Sequence, residues 1–143
     1  MQSDIALRHR SRGMSLIELM IVVVIIAILG VIAVPSYRAY VQRAQRVDAT
    51  STLLRVAANQ ERFYLQNNTY TNNLVAVGVD ATGITDKGLY AIDIPVANIN
   101  TFTIRAQPAA GSRMAEDADC QTFTITAQGV RATAPQPVDD CWQ

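Results

Sequence analysis

The chain has 143 residues, half of them hydrophobic, and its twelve basic side chains are matched by twelve acidic ones. This length suits one small domain with an appendage. The even charge balance argues against a chain that is basic throughout and that would coat nucleic acid.

The first predicted element is an apolar helix over residues 14–34. Its twenty-one residues, at about 1.5 Å each, match the roughly 30 Å hydrocarbon core of a bilayer. Glu18 interrupts this helix at a cost of about 2.5–3.5 kcal/mol on membrane-insertion scales, so we expect it to have a function. Cleavage after Gly13 would create an amine at Met14, at i, i+4 spacing from Glu18, which could neutralise the carboxylate in its own chain or in a neighbour.

Basic residues precede the apolar helix and predict its orientation. Arg8, Arg10 and Arg12 favour a cytoplasmic N-terminus, with everything after Val34 on the outer side of the membrane. A cut ahead of the apolar run, unlike that of an ordinary secretory signal, keeps the helix on the mature protein. Without residues 1–13 the chain has nine basic and eleven acidic side chains.

A second helix is predicted beyond Pro35, which with Gly30 favours a kink at the junction. From residue 36 to about residue 66, apolar positions follow steps of three, four or seven, which indicates a half-buried helix. Asn67 and Asn68 end it. We expect the helix to face a sheet through an apolar stripe formed by Tyr37, Val41, Ala44, Val47, Leu54, Ala58 and Leu65.

The remaining segments predict an irregular loop and a small sheet. Residues 69–88 contain three glycines and no clear periodicity. Four short segments then have the composition of strands: 89–95, 101–107, 121–128 and 130–133. Antiparallel strands covering the second helix would form one core, so the fold class is α+β.

Two cysteines, Cys120 and Cys141, bracket the last strands. In a segment exported across the membrane, an even pair predicts a disulfide, and two buried free thiols are the alternative. A closed loop of about twenty-two residues would stabilise the fold by about 3 kcal/mol.

The N-terminal pattern resembles a known signal. Arg-Ser-Arg-Gly followed by Met-Ser-Leu-Ile-Glu-Leu and the apolar run to Tyr37 is similar to the class III signal of type IV prepilins. The resemblance implies that a prepilin peptidase cuts after Gly13 and methylates Met14, where the family usually has Phe. It also makes Glu18 the residue that sets the register of subunits during assembly.

The rest of the chain resembles minor type IV pilins of the PilE group. The matching segments are 57–65, 68–71, 88–90, 102–106, Gly129 and 141–142. The resemblance implies a ladle-shaped fold in which a long N-terminal helix packs its C-terminal half on a four-stranded antiparallel sheet. It divides the chain into a leader (1–13), a membrane and filament-core helix (14–35) and a globular head (36–143), with a disulfide-bounded C-terminal loop, the D-region.

The expected function is that of a minor pilus subunit, supporting pilus assembly, twitching motility, adhesion or DNA uptake. Its expected partners are major and minor pilins, the prepilin peptidase and the inner-membrane assembly machinery. We expect it in the inner membrane before assembly and in the extracellular pilus afterwards. The alternatives are a DNA- or surface-binding receptor pilin and a type II secretion pseudopilin; pseudopilins commonly lack the C-terminal disulfide.

The sequence contains few residues that could form a catalytic site or a metal site. The single histidine, His9, lies in the leader, so the mature chain has no histidine base or histidine metal ligand, and we expect no enzyme activity and no cofactor. One group of acidic residues could hold a hard cation such as calcium, but we favour a solvated acidic rim. This group comprises Glu116, Asp117, Asp119, Asp139 and Asp140.

Four basic residues of the head are candidate DNA contacts if folding brings them together: Lys87, Arg105, Arg113 and Arg131. The net acidic mature chain contains no basic run, and this favours a structural role over a dedicated DNA receptor.

The leader generates the first prediction. N-terminal mass spectrometry of the assembled protein should find N-methylmethionine at position 14, and Gly13→Arg should leave an unprocessed membrane protein because the cleaved bond follows Gly13. An intact leader on subunits recovered from filaments would contradict this.

Overall fold

The computed structural model describes residues 14–142. They belong to two compact units with a boundary after Tyr37. The leader, with the cut site at Gly13, lies outside the described residues.

Helix α1 extends over Leu16–Asn67 and passes through Pro35 without ending. The structure therefore has one helix where the sequence predicted two joined halves, and the kink at Gly30 and Pro35 stays a prediction. Asn68 follows with a φ of 54°, and its N–H donates to the carbonyl of Tyr64 at 2.8 Å. The helix thus ends where the sequence predicted, at residues that tolerate left-handed geometry.

The described part of the N-terminal unit, residues 14–37, is mostly apolar, and Glu18 is its one charged residue. Between Met14 and Val34 the large hydrophobic side chains are 43–76% exposed. By length and composition this part of α1 is able to cross a membrane. Since exposed apolar area on this scale is unfavourable in water, it requires lipid or other helices around it.

The second unit contains one antiparallel sheet in the order β1-β2-β3-β4. Its strands agree with the four predicted segments to within two residues at every end, and they are Tyr90–Ala97, Phe102–Pro108, Cys120–Thr126 and Arg131–Pro135. Ile92, Ile104 and Phe123 belong to the buried face. Asp93, Arg105 and Thr124 alternate with them on the outer face.

The helix face that packs on the sheet is not the predicted one. Ala49, Leu53 and Val56 are fully buried in the same cluster as the inner face of the sheet. Of the predicted stripe, Val47 is 46% exposed and Leu65 83%. The prediction was wrong because the packed face also carries polar residues, which a count of apolar positions assigns to solvent.

Polar side chains of α1 hold the loop that connects it to β1. Gln60 is fully buried, and its amide pairs with the backbone of Thr71, donating to the carbonyl at 2.5 Å and accepting from the N–H at 3.0 Å. Asn59 donates to the carbonyl of Val77 at 2.8 Å, and Arg55 to that of Gly78 at 2.6 Å. The loop is therefore fixed by hydrogen bonds rather than by regular secondary structure.

Gly83 allows this loop to lie against the edge of β1. Its φ is +73°, and a Cβ there would lie 2.9 Å from the carbonyl oxygen of Ile92. The N–H of Ile92 donates to the carbonyl of Gly83 at 2.6 Å. The contact covers part of an otherwise open sheet edge.

Cys120 and Cys141 form the disulfide expected from the sequence. Cys120 begins β3, and Cys141 ends the short helix α2, Val138–Cys141. Both sulfur-bearing side chains are buried. The bridge ties α2, which follows the edge strand β4, back to the sheet.

Candidate functional site

Glu18 lies in the first turn of α1 and is exposed. It is the only charged side chain between Met14 and Tyr37. A carboxylate is favourable at this end of a helix because the free N–H groups there carry partial positive charge. Met14, the predicted new N-terminus, is 65% exposed, so both members of the predicted ion pair are accessible to a neighbouring subunit.

In the head, a buried ion pair joins α1 to the segment that connects β2 to β3. The guanidinium of Arg46 donates twice to the carboxylate of Asp117, through Nε and Nη2, at 2.7 Å each. The Arg46 side chain is 10% exposed and that of Asp117 1%. Nη1 of Arg46 also donates to the carbonyl of Asp140 at 3.3 Å. Two hydrogen bonds in a fork geometry make this a strong pairing.

The pair changes the electrostatics around it. The hydrogen bond to Asp117 raises the pKa of Arg46, so the guanidinium stays charged despite its burial. Burial also raises the pKa of Tyr90, and the charge of Asp117 adds to this effect. The Tyr90 hydroxyl is therefore neutral at physiological pH.

The five acidic residues do not form one solvated rim. Asp117 is buried by its pairing with Arg46, which corrects the prediction for that residue. Glu116, Asp119, Asp139 and Asp140 are exposed. Within residues 14–142 no three acidic, histidine or cysteine side chains lie close enough together to hold a metal ion.

A polar cleft of about 450 Å³ lies where α1 meets the D-region. Arg43 and Gln42 line the helix side, and Asp119, Gln136 and Asp140 line the other. Across it, the guanidinium of Arg46 lies 3.3 Å from the carbonyl oxygen of Asp140 and 3.9 Å from the carboxylate of Asp119. Its mixed charge gives no preference for an anion or a cation.

The structure does not bring the four candidate DNA contacts into one patch. Arg105 pairs with Asp93 through two hydrogen bonds of 2.9 and 2.7 Å, which neutralise its charge. The register pairs Arg105 with Thr124 and Arg131 with Ile125. Because adjacent residues point to opposite sides of a sheet, Arg105 and Arg131 lie on different faces.

The other three basic candidates are exposed. Arg131 lies over the ring of Trp142, with 4.9 Å between its guanidinium carbon and the ring centroid. Lys87 lies in a turn closed by the Gly88 N–H and the Thr85 carbonyl, at 2.8 Å. Arg113 begins a short 3-10 helix.

Sequence reasoning missed the importance of Arg46. Arg46 lies off the predicted apolar stripe of the second helix, and nothing in the sequence pattern distinguishes it from Arg43 or Arg55. Its partner Asp117 is 71 positions away, so only the folded chain brings the pair together.

Comparison with protein families gives a match over most of the chain. Residues 35–141 match the family described as type IV minor pilin ComP, DNA uptake sequence receptor. The chain belongs to this minor pilin family. Residues 8–34 match the prokaryotic N-terminal methylation motif. A comparison with curated proteins found no match.

Two solved pilins share the fold. The non-core minor pilin PilV of Neisseria meningitidis is 19% identical, with a TM-score of 0.52 over 68% of this chain and 91% of that one. A type IV pilin of Shewanella oneidensis is 24% identical, with a TM-score of 0.50 over 71% of this chain and 98% of that one. The predicted long helix on a four-stranded antiparallel sheet is confirmed as the type IV pilin fold.

This minor pilin is a structural subunit of a type IV pilus. Its apolar helix anchors it in the inner membrane before it joins the filament. As a minor pilin it interacts with other pilins and with the assembly machinery. The matched family is one of structural pilins and not of enzymes, and this membership favours the pilus role over the pseudopilin alternative.

The buried ion pair generates the second prediction. Asp117→Ala should lower the free energy of unfolding by about 3–5 kcal/mol, because Arg46 would stay buried without its partner. The matched control is Asp93→Ala, which removes the partner of Arg105 in a pair whose side chains are 45% and 39% exposed. It should lower stability by less than about 1 kcal/mol.

Denaturant titration of the full-length protein in detergent measures both changes. Equal losses for the two variants would show that the Arg46 pair contributes no more than a surface contact.

Proposed function

We propose that this minor pilin enters the filament through an ion pair between Glu18 and the N-terminal amine of a neighbouring subunit. The amine arises when the chain is cut after Gly13, and Met14 then carries the methyl group. The single charge of Glu18 in an otherwise apolar segment carries this proposal. The match of residues 8–34 to the N-terminal methylation motif supports it.

The pairing selects the axial offset between subunits. In a filament core of low dielectric constant, an unpaired carboxylate is strongly disfavoured, whereas one that meets an amine is compensated. Apolar contacts are non-directional and tolerate many offsets. The ion pair therefore provides the positional selectivity that the apolar surface lacks.

Glu18→Leu tests this mechanism and provides the third prediction. The change removes a costly charge, so membrane insertion and cleavage after Gly13 should stay normal. Incorporation into pili should fall by about two to three orders of magnitude, because the amine is left buried without a partner. The measurement is the ratio of this protein in sheared pili to that in the inner membrane.

Glu116→Leu, the same change at an exposed carboxylate of the head, is the control and should leave the ratio unchanged. If Glu18→Leu also leaves it unchanged, Glu18 is merely tolerated in the bilayer and does not set register.

A second proposed function is DNA binding by the head. The family that matches residues 35–141 is described as a DNA uptake sequence receptor. Residues 38–143 contain nine basic and ten acidic side chains. Because this part of the chain has no excess of positive charge, such binding requires particular basic side chains at one place on the surface. Arg131 is suited to it, since it is exposed, its guanidinium lies over Trp142, and no carboxylate of residues 14–142 forms an ion pair with it.

The fourth prediction compares Arg131 with Arg105. Arg131→Gln should weaken duplex DNA binding several-fold and reduce the salt dependence of the affinity by about one phosphate contact. Arg105→Gln should change neither, because Asp93 already neutralises Arg105. Fluorescence anisotropy with the full-length protein at several salt concentrations measures both. Absence of binding, or equal losses in both variants, would refute this role for Arg131.

A further inference from the structure

The polar cleft beside α1 has opposite charges on its two walls. The four residues of its helix wall lie on one face of α1, at i, i+3, i+4 and i+7: Ala39, Gln42, Arg43 and Arg46. The facing wall contains the acidic residues Asp119 and Asp140. A simple anion or a simple cation would be attracted by one wall and repelled by the other. A ligand that carries both charges on separate atoms is attracted by both walls.

The disulfide holds the acidic wall in place. Asp119 immediately precedes Cys120, and Asp140 immediately precedes Cys141. The α-carbons of the two bridged cysteines are 5.8 Å apart. The carbonyl of Asp119 also accepts a hydrogen bond from the N–H of Gln136 at 3.1 Å. The backbone of this wall is therefore ordered before any ligand binds, which lowers the entropy cost of binding.

The helix wall contains one fixed cation and one free cation. The guanidinium of Arg46 is held by the carboxylate of Asp117 and by the carbonyl of Asp140. Arg43 is exposed, and no carboxylate of residues 14–142 lies within 4 Å of its guanidinium. Because the two arginines are one helical turn apart, an anionic group of a ligand can contact both.

The cleft begins close to the end of the apolar segment. Ala39 follows Val34 by five residues, which is about 7.5 Å along a helix and at most roughly 18 Å in any conformation. Tyr37 and Tyr40 are 69% and 71% exposed, and tyrosines at this position are typical of the boundary between hydrocarbon and headgroups. The headgroup layer extends roughly 5–7 Å beyond the hydrocarbon on each side of a bilayer. The cleft is therefore within reach of lipid headgroups.

The chemistry of the walls indicates which headgroup fits. A primary ammonium has three N–H donors, and the carboxylates of Asp119 and Asp140 are strong acceptors for them. A phosphate accepts charge-assisted hydrogen bonds from guanidinium groups such as those of Arg43 and Arg46. A quaternary ammonium has no N–H donor, and a glycerol headgroup has no cation. Both of these groups match the acidic wall less well than an ethanolamine group does.

We propose that this cleft binds the headgroup of a zwitterionic phospholipid with a primary ammonium. The phosphate lies at the helix wall and the ammonium at the acidic wall. Soluble phosphate esters of ethanolamine have the same chemistry, and the position of the cleft just beyond the apolar segment favours the membrane as the source. The contact holds the head at the membrane surface before assembly, and it does not involve Glu18.

The first test compares lipids bound to the full-length protein. The protein is placed in nonionic micelles that contain phosphatidylethanolamine, phosphatidylcholine and phosphatidylglycerol in equal amounts, and native mass spectrometry counts the lipids retained. Phosphatidylethanolamine should be retained about tenfold more than either of the others, because it alone satisfies both walls. Equal retention, or a preference for either of the other two lipids, would overturn the proposal.

Soluble O-phosphoethanolamine distinguishes the two sources of this chemistry. It should displace the bound lipid only at a much higher concentration, because acyl chains concentrate the lipid headgroup beside the cleft. Displacement at a concentration equal to that of the lipid would refute the assignment to a membrane lipid.

Matched substitutions locate the site. Arg43→Gln and Asp119→Asn should each lower the retention of phosphatidylethanolamine by about fivefold to tenfold, since each removes one charged contact. Arg62→Gln and Glu116→Gln, which change exposed charges outside the cleft, should leave it unchanged. The Cys120–Cys141 disulfide, followed on non-reducing gels, reports that each variant has folded. Equal losses for Arg43→Gln and Arg62→Gln would show a general attraction to lipid and overturn the assignment of the cleft.

Discussion

The rotation of α1 about its own axis determines which of its side chains are buried against the sheet and which are exposed on the surface of the head. Two buried polar residues on one side fix that rotation: Arg46, paired with Asp117, and Gln60, paired with the backbone of Thr71. They are fourteen residues apart, about four helical turns, so they lie on the same face. Turning the helix would leave both groups buried without partners, which costs far more than a change of apolar contacts.

This constraint also explains what the sequence could and could not predict. Alternation and turn residues predicted the four strands, and Asn67 and Asn68 predicted the helix end, because these signals are local. The buried helix face could not be recognised, since its polar members find partners 71 and 11 positions away. Counting apolar residues therefore selected the side with Val47 and Leu54. That side faces away from the sheet, and Val47 and Leu54 stay 46% and 43% exposed there.

The basic residues show a similar limit. Their number in the sequence says little about a DNA site, because the fold uses several of them internally. Arg46 and Arg105 are held by Asp117 and Asp93, and the sheet register separates Arg105 from Arg131. The basic side chains that remain free to contact DNA are few and far apart. Such a surface favours contacts at single phosphates over a general attraction to the DNA backbone.

Apolar burial alone would let this helix associate with almost any other. The segment from Met14 to Val34 gains as much from lipid as from a neighbouring helix, so its apolar side chains cannot distinguish the membrane from the filament. Discrimination must come from the few groups that lipid does not satisfy. Glu18 is the one charged residue between Met14 and Tyr37, and lipid offers its carboxylate no compensating charge. The proposed pairing with an amine at a fixed height would therefore separate the filament from the membrane, because only a neighbour with the correct axial offset supplies that amine.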